Sequence, residues 1–179
     1  IFRRVFILTG REIRKKAILG LKNALFLIYF LSVIWYNKVK KQLILTLFSM
    51  GKEYETFKFK ENIEAAKAAG LEVGVYFYTQ AVNTKEAQEE ADFVLSYIKD
   101  YTLDLPVYYD IESVDYDTGR LDSAGLTKAQ KTALCTAFCD RIISKGYKAG
   151  IYANMSWLTY QIDGAALGKK YPIWLAHYT

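Results

Sequence analysis

From Gly51 onward the chain alternates between runs that suit buried strands and runs that suit helices, with short connections. Such units pack as a parallel sheet covered by helices, so this alternation constrains the fold more than any other feature. Phe59–Ala69 has apolar residues at helical spacing and ends at Gly70, a good C-cap. Glu72–Tyr78 (EVGVYFY) is β-branched and aromatic, as a buried strand should be. Thr84–Lys99 reads as an amphipathic helix with acids in its first turns, where the helix dipole favours them. Leu105–Ile111 (LPVYYDI) is a second strand and Val114–Gly125 a polar loop. Thr127 then caps a helix through Lys145, closed by Gly146. Lys148–Ala153, a short helix over Met155–Ile162 and a last strand Pro172–Ala176 follow. The expected fold class is α/β, with the parallel sheet curling into a barrel.

Residues 1–50 behave differently. They carry ten Lys or Arg against one acid, Glu12, and no Asp or Pro. Their apolar residues come in blocks, notably Ala24–Tyr36 (ALFLIYFLSVIWY). A spanning helix needs about 20 apolar residues, and a basic stretch before a shorter run resembles a signal peptide. No small-residue cleavage site follows; Asn37-Lys38-Val39-Lys40-Lys41 comes instead. Three readings stay open: a signal anchor, ordinary β/α core of odd composition, or sequence foreign to the fold, such as out-of-frame coding. The expected division is an atypical segment over 1–50 and one domain over 51–179.

The net charge of +5 comes from that first segment, since residues 51–179 hold fourteen basic against eighteen acidic residues. A basic chain invites a nucleic-acid reading, but the part that looks folded is mildly acidic, which argues against one. Cys135 and Cys139 lie four apart in a helix, a spacing that rarely allows a disulfide, and read as small core residues. His177 is the one histidine and stands far from both, so no metal-ligand set or cofactor is implied. The 15 Tyr and 10 Phe suit either sheet packing or a carbohydrate surface built from rings.

The most informative run is Tyr108-Tyr109-Asp110-Ile111-Glu112 at a strand's C-terminal end. Residues two apart on a strand point the same way, which sets Asp110 and Glu112 side by side with Cα atoms about 7 Å apart. Strand C-termini form the active face of a parallel barrel. Two carboxylates near rings raise the proton affinity of at least one, and an acid beside an ionised carboxylate is what glycoside hydrolysis uses. The plainer alternative is that these acids cap the next helix or pair with a base, although no Lys or Arg lies between Lys99 and Arg120.

Four stretches, GVYFYTQAVNTKEAQEEADFVL, LPVYYDIE, LTKAQKTALCTAFCDRIISKGYKAGIYANMSWL and YPIWLAHYT, together resemble glycoside hydrolase family 25, the lysozymes (N-acetylmuramidases) of phage endolysins and bacterial autolysins. The likeness runs in order over about residues 54–179. It implies an irregular TIM-like (β/α) barrel that cleaves the β-1,4 bond between N-acetylmuramic acid and N-acetylglucosamine in peptidoglycan, secreted, wall-bound or released as an endolysin. Glu112 matches the family's general acid and Asp110 its assisting carboxylate. Tyr76, Tyr78, Tyr109, Tyr152, Trp174 and Tyr178 are expected to line the sugar groove, where ring faces meet apolar sugar C–H faces. Trp157 is groove rim or core, and His177 stands where the family usually has Gln. The family's first strand carries an Asp-x-Ser motif that residues 1–50 lack, and a further acid is expected beyond the last strand. The barrel is therefore expected to be incomplete at both ends and C-terminally truncated. The alternative is a degenerate glycan-binding domain without turnover.

Overall fold

A computed structural model of the chain describes residues 35–37, 42–47, 53–113 and 119–176. Six strands lie side by side in sequence order: β1 (Trp35–Asn37), β2 (Gln42–Leu47), β3 (Glu72–Tyr78), β4 (Val107–Asp110), β5 (Ala149–Asn154) and β6 (Ile173–Ala176). β1 runs antiparallel to β2, and all later neighbours are parallel. Parallel pairing needs a crossover, and each is helical. The crossovers are α1 (Glu53–Ala68), α2 (Thr84–Ile98), α3 (Arg120–Ser123) with α4 (Lys128–Ile143), and a π-helical turn (Trp157–Gln161) with α5 (Gly164–Lys170). Among the described residues the sheet stays open, with β1 and β6 at its edges. The α/β class and parallel sheet are as expected; barrel closure is not seen.

β1 and β2 fall in the first fifty residues. The rest of that segment lies outside the described residues, including most of the apolar run at 24–36, and no described helix is long and apolar enough to cross a membrane.

The helix ends follow from local chemistry. Asn83 accepts a hydrogen bond from the Glu86 amide at the start of α2. Thr127 and Gln130 cap each other reciprocally at the start of α4, the Gln130 side chain accepting from the Thr127 amide at 2.9 Å. Gly70 and Gly146 end their helices at φ +69° and +87°, where side-chain-bearing residues are strained.

Alternation along the strands creates two faces. Val73, Val75, Phe77, Val107, Tyr109 and Ile151 face the helices and are fully buried against Val94 and Ile98 of α2 and Leu134, Phe138 and Ile142 of α4. Phe138 stacks on Tyr109 at 4.3 Å and on Phe77 at 6.1 Å between centroids. Burying each such side chain stabilises the fold by about 1.5–3 kcal/mol. Cys135 and Cys139 are free thiols in this core, and burial pushes both of them up.

Three local expectations change. The polar loop of 114–125 contains α3. The short helix at 155–162 becomes a π-helical turn: the Ile162 amide bonds to Trp157 O at 2.9 Å, and Asn154 Oδ1 accepts from the Trp157 amide. Trp157 itself is core, with Lys131 Nζ 5.0 Å above its ring. α5 was not expected from its two glycines; Asp163 starts it by accepting from the Ala166 amide, and Gly164 is required because a Cβ there would come 2.6 Å from Leu158 O.

Candidate active site

The register across the C-terminal strand ends sets Tyr78 opposite Asp110, Asp110 opposite Tyr152, and Tyr152 opposite Trp174. Cross-strand partners share a face, so these four residues form one row on the side away from the helices. One pleat back, Tyr76, Tyr108 and Gly150 form a second row. A Cβ on Gly150 would lie 2.6 Å from the Tyr108 ring and 2.9 Å from Pro172 O, so only glycine admits that ring. Trp174 meets Tyr108 and Tyr152 edge-on at 5.3 and 4.9 Å, and Tyr76 lies 6.3 Å from Tyr152. Tyr76, Tyr108 and Trp174 are buried and make a floor, while Tyr78 and Tyr152 are half-buried walls.

Asp110 sits in this row only 4% exposed, and its Oδ1 finds no hydrogen-bond partner. An orphaned carboxylate oxygen inside a protein costs free energy, and such groups concentrate at functional sites. Burial pushes the Asp110 carboxyl well up, and the negative charge of Glu112 pushes it further. The strand pattern extends one residue beyond β4. The Ile111 amide donates to Tyr152 O at 3.0 Å and its side chain joins the helix-side core, which returns Glu112, half-buried, to the side of Asp110. Two carboxylates that interact this way titrate as a pair, with one proton bound more tightly than an ordinary carboxylate binds it.

Of the residues expected to form the site, the structure brings together Asp110, Glu112, Tyr76, Tyr78, Tyr152 and Trp174. It does not bring Tyr109. That side chain has the opposite parity to Asp110 and is fully buried on Phe138. Its hydroxyl lies 2.6 Å from Thr79 Oγ1 and donates to Glu90 Oε2 at 3.3 Å. Glu90 also accepts from Thr79 Oγ1 at 2.7 Å and from the Gln80 amide at 3.0 Å, and burial pushes its carboxyl up. Tyr109 thus braces the back of the site. Tyr108 was missed and takes its place on the floor; the available signal was that it shares parity with Asp110. Tyr178 and His177 lie outside the described residues.

A separate hollow of about 390 Å³, lined by residues including Met155, Leu158, Ile173 and Leu175, opens on the helix-facing side of β6, away from the carboxylates. Among the described residues no three His, Cys, Asp or Glu side chains converge to hold a metal.

The family model of the glycosyl hydrolases family 25 matches residues 32–179. The chain belongs to glycosyl hydrolases family 25. The match takes in β1 and β2, ahead of residue 54 where the likeness was legible by eye. A probable GH family 25 lysozyme 5 of Dictyostelium discoideum is 32% identical over 128 residues, which are 66% of this chain and 53% of that protein. An autolytic lysozyme of Clostridium acetobutylicum is 24% identical over 146 residues, 80% of this chain and 41% of that protein. This family member therefore spans about half the length of those relatives. Among solved structures, that of the CTP1L endolysin is 26% identical with a TM-score of 0.59, covering 77% of this chain and 44% of the endolysin.

Proposed function

We propose that the Asp110–Glu112 face binds the glycan strands of peptidoglycan and hydrolyses the β-1,4 bond between N-acetylmuramic acid and N-acetylglucosamine. The observation that carries this reading is the buried, unpartnered Asp110 oxygen beside Glu112, in one row with Tyr78, Tyr152 and Trp174. The names of the relatives, a lysozyme and an autolytic lysozyme, agree with it. Those names, with that of the CTP1L endolysin, favour action outside the cell, in the wall or as an endolysin.

The chemistry follows from the shared proton. At rest, burial favours the proton on Asp110; in the reactive state it sits on Glu112 and Asp110 is the anion of the pair. Glu112 then gives the proton to the glycosidic oxygen as the bond from that oxygen to the sugar carbon breaks, and the leaving sugar departs as an alcohol. Positive charge builds on the remaining ring, and Asp110 stabilises it or orients the N-acetyl group beside it. Water adds to that carbon and returns a proton to Glu112. Tyr78 and Tyr152 hold sugar C–H faces against their rings.

Clearing of a purified cell-wall suspension tests this. Wild-type protein should clear it, and Glu112→Gln should lose about 10²–10⁴-fold in rate, the usual worth of general-acid help. A Glu112→Gln protein as fast as wild type removes Glu112 from the role. The second reading, a glycan-binding domain without turnover, draws on the lack of any Asp in residues 1–50. Co-sedimentation with wall fragments and no clearing would favour it.

A further inference from the structure

We propose that Gln80 is a positioning residue: it holds the Tyr78 hydroxyl and so sets that ring against the carboxylate pair, with Arg120 and Glu86 fixing Gln80 in turn. This rests on reading the Asp110 face as a sugar groove.

Gln80 lies just past the end of β3 and is half-buried. Every polar group it owns is engaged. Its Nε2 donates to Tyr78 OH at 3.1 Å and to Thr79 O at 2.8 Å. Its Oε1 accepts from the Leu121 amide at 3.3 Å. Its own amide donates to Glu90, and its carbonyl accepts from Arg120 Nη1 at 3.1 Å. The amide orientation follows without choice: the Leu121 N–H can only donate, so the oxygen must face Leu121 and the NH₂ group must face Tyr78. Arg120 is gripped by both Glu86 oxygens, Nη2 donating to Oε1 at 2.9 Å, and Glu86 also accepts from the Val82 amide and from Asn83 Nδ2. A planar, two-point pair of this kind fixes direction as well as distance.

Tying two loops together would need only main-chain groups and the Arg120–Glu86 pair. The side-chain NH₂ on Tyr78 goes beyond that need. Tyr78 stands opposite Asp110 in the register, so fixing its hydroxyl fixes how the ring meets whatever lies on Asp110. A tyrosine has two side-chain torsions, and one hydroxyl anchor restrains both. Arg120 opens α3, the next described element after Glu112, so the same bonds join the two sides of the site.

The test is steady-state clearing of wall suspensions by the full chain. Gln80→Ala should raise the half-saturating wall concentration about 3–10-fold, the worth of one net hydrogen bond, and leave the saturated rate within about twofold. Tyr78→Phe, which removes the same bond from its other end, should show a rise of similar size. Combining the two should add nothing, because neighbours acting through one contact are not additive. A role confined to folding would lower the melting point and leave the half-saturating concentration unchanged instead. If Gln80→Ala melts early, Tyr78→Phe carries the test alone. An unchanged half-saturating concentration in Tyr78→Phe, or full additivity in the pair, overturns the proposal. Wild-type protein that neither clears nor binds walls would defeat the muramidase reading and this proposal with it. Wild-type clearing with a wild-type Gln80→Ala protein defeats the proposal alone.

Discussion

The two faces of the sheet are built from the same strands and differ in how they treat polar atoms. On the helix side, among the described residues, the buried side-chain oxygens are answered: Tyr109, Thr79 and Glu90 bond to one another, and Glu90 and Thr79 also accept from the Gln80 and Ala81 amides. On the other side, one pleat away, Asp110 is left with a bare oxygen among rings. One face is satisfied and tight, while the other keeps an unmet need where strand ends open. The difference separates what holds this protein together from what it has to offer a ligand.

The comparison can be broken in graded steps. Asp110→Asn should cut turnover by about 10²-fold or more while raising stability. The sign is as follows. The Asp110 carboxyl is held above its ordinary 3.8, so the neutral form favours the fold; that contribution is full below 3.8 and fades as pH rises through the raised value. Asparagine cannot ionise, so at neutral pH the variant should melt a few degrees higher, about 2–4 °C per kcal/mol in a chain of this size. A lower melting point would count against a strained carboxylate. Phe77→Ala, on the helix side, should cost about 3–5 kcal/mol, visible as a lower urea midpoint. Gly150→Ala should push the Tyr108 ring out of the floor, costing about 1–3 kcal/mol and weakening wall binding, as a melt and a sedimentation assay would show. Tyr109→Phe should have the smallest effect, about 1 kcal/mol of stability with turnover unchanged. A large loss of turnover there would return Tyr109 to the working face.

Strands β3 to β6 were legible because their β-branched and aromatic runs are punctuated by Gly70, Pro106, Gly146 and Pro172. The helices over 84–98 and 128–143 were equally clear from their caps and buried faces. β1 and β2 were not, since QLILTL follows a basic cluster and carries no turn signal of its own. Whether the sheet curls shut depends on long-range packing that no local pattern records. In the candidate site, alternation set Asp110 and Glu112 on one side, and the family likeness added the rings of β3, β5 and β6. Tyr109 was misplaced because its neighbour Asp110 drew it to the wrong face, and strict alternation would have chosen Tyr108. Gln80 had no sequence signal, because its part depends on Leu121 and Arg120 arriving from another element.

The bare oxygen of Asp110 also bears on how a small molecule placed against this face ought to behave. A compound placing an N–H against it is served by the ionised form and should bind more tightly as the solution becomes more alkaline. One placing a carbonyl there needs the neutral acid and should bind more tightly as the solution is acidified. Two analogues differing only in that polarity would therefore cross in potency along a buffer series, and the crossing point would report the proton affinity of the buried acid.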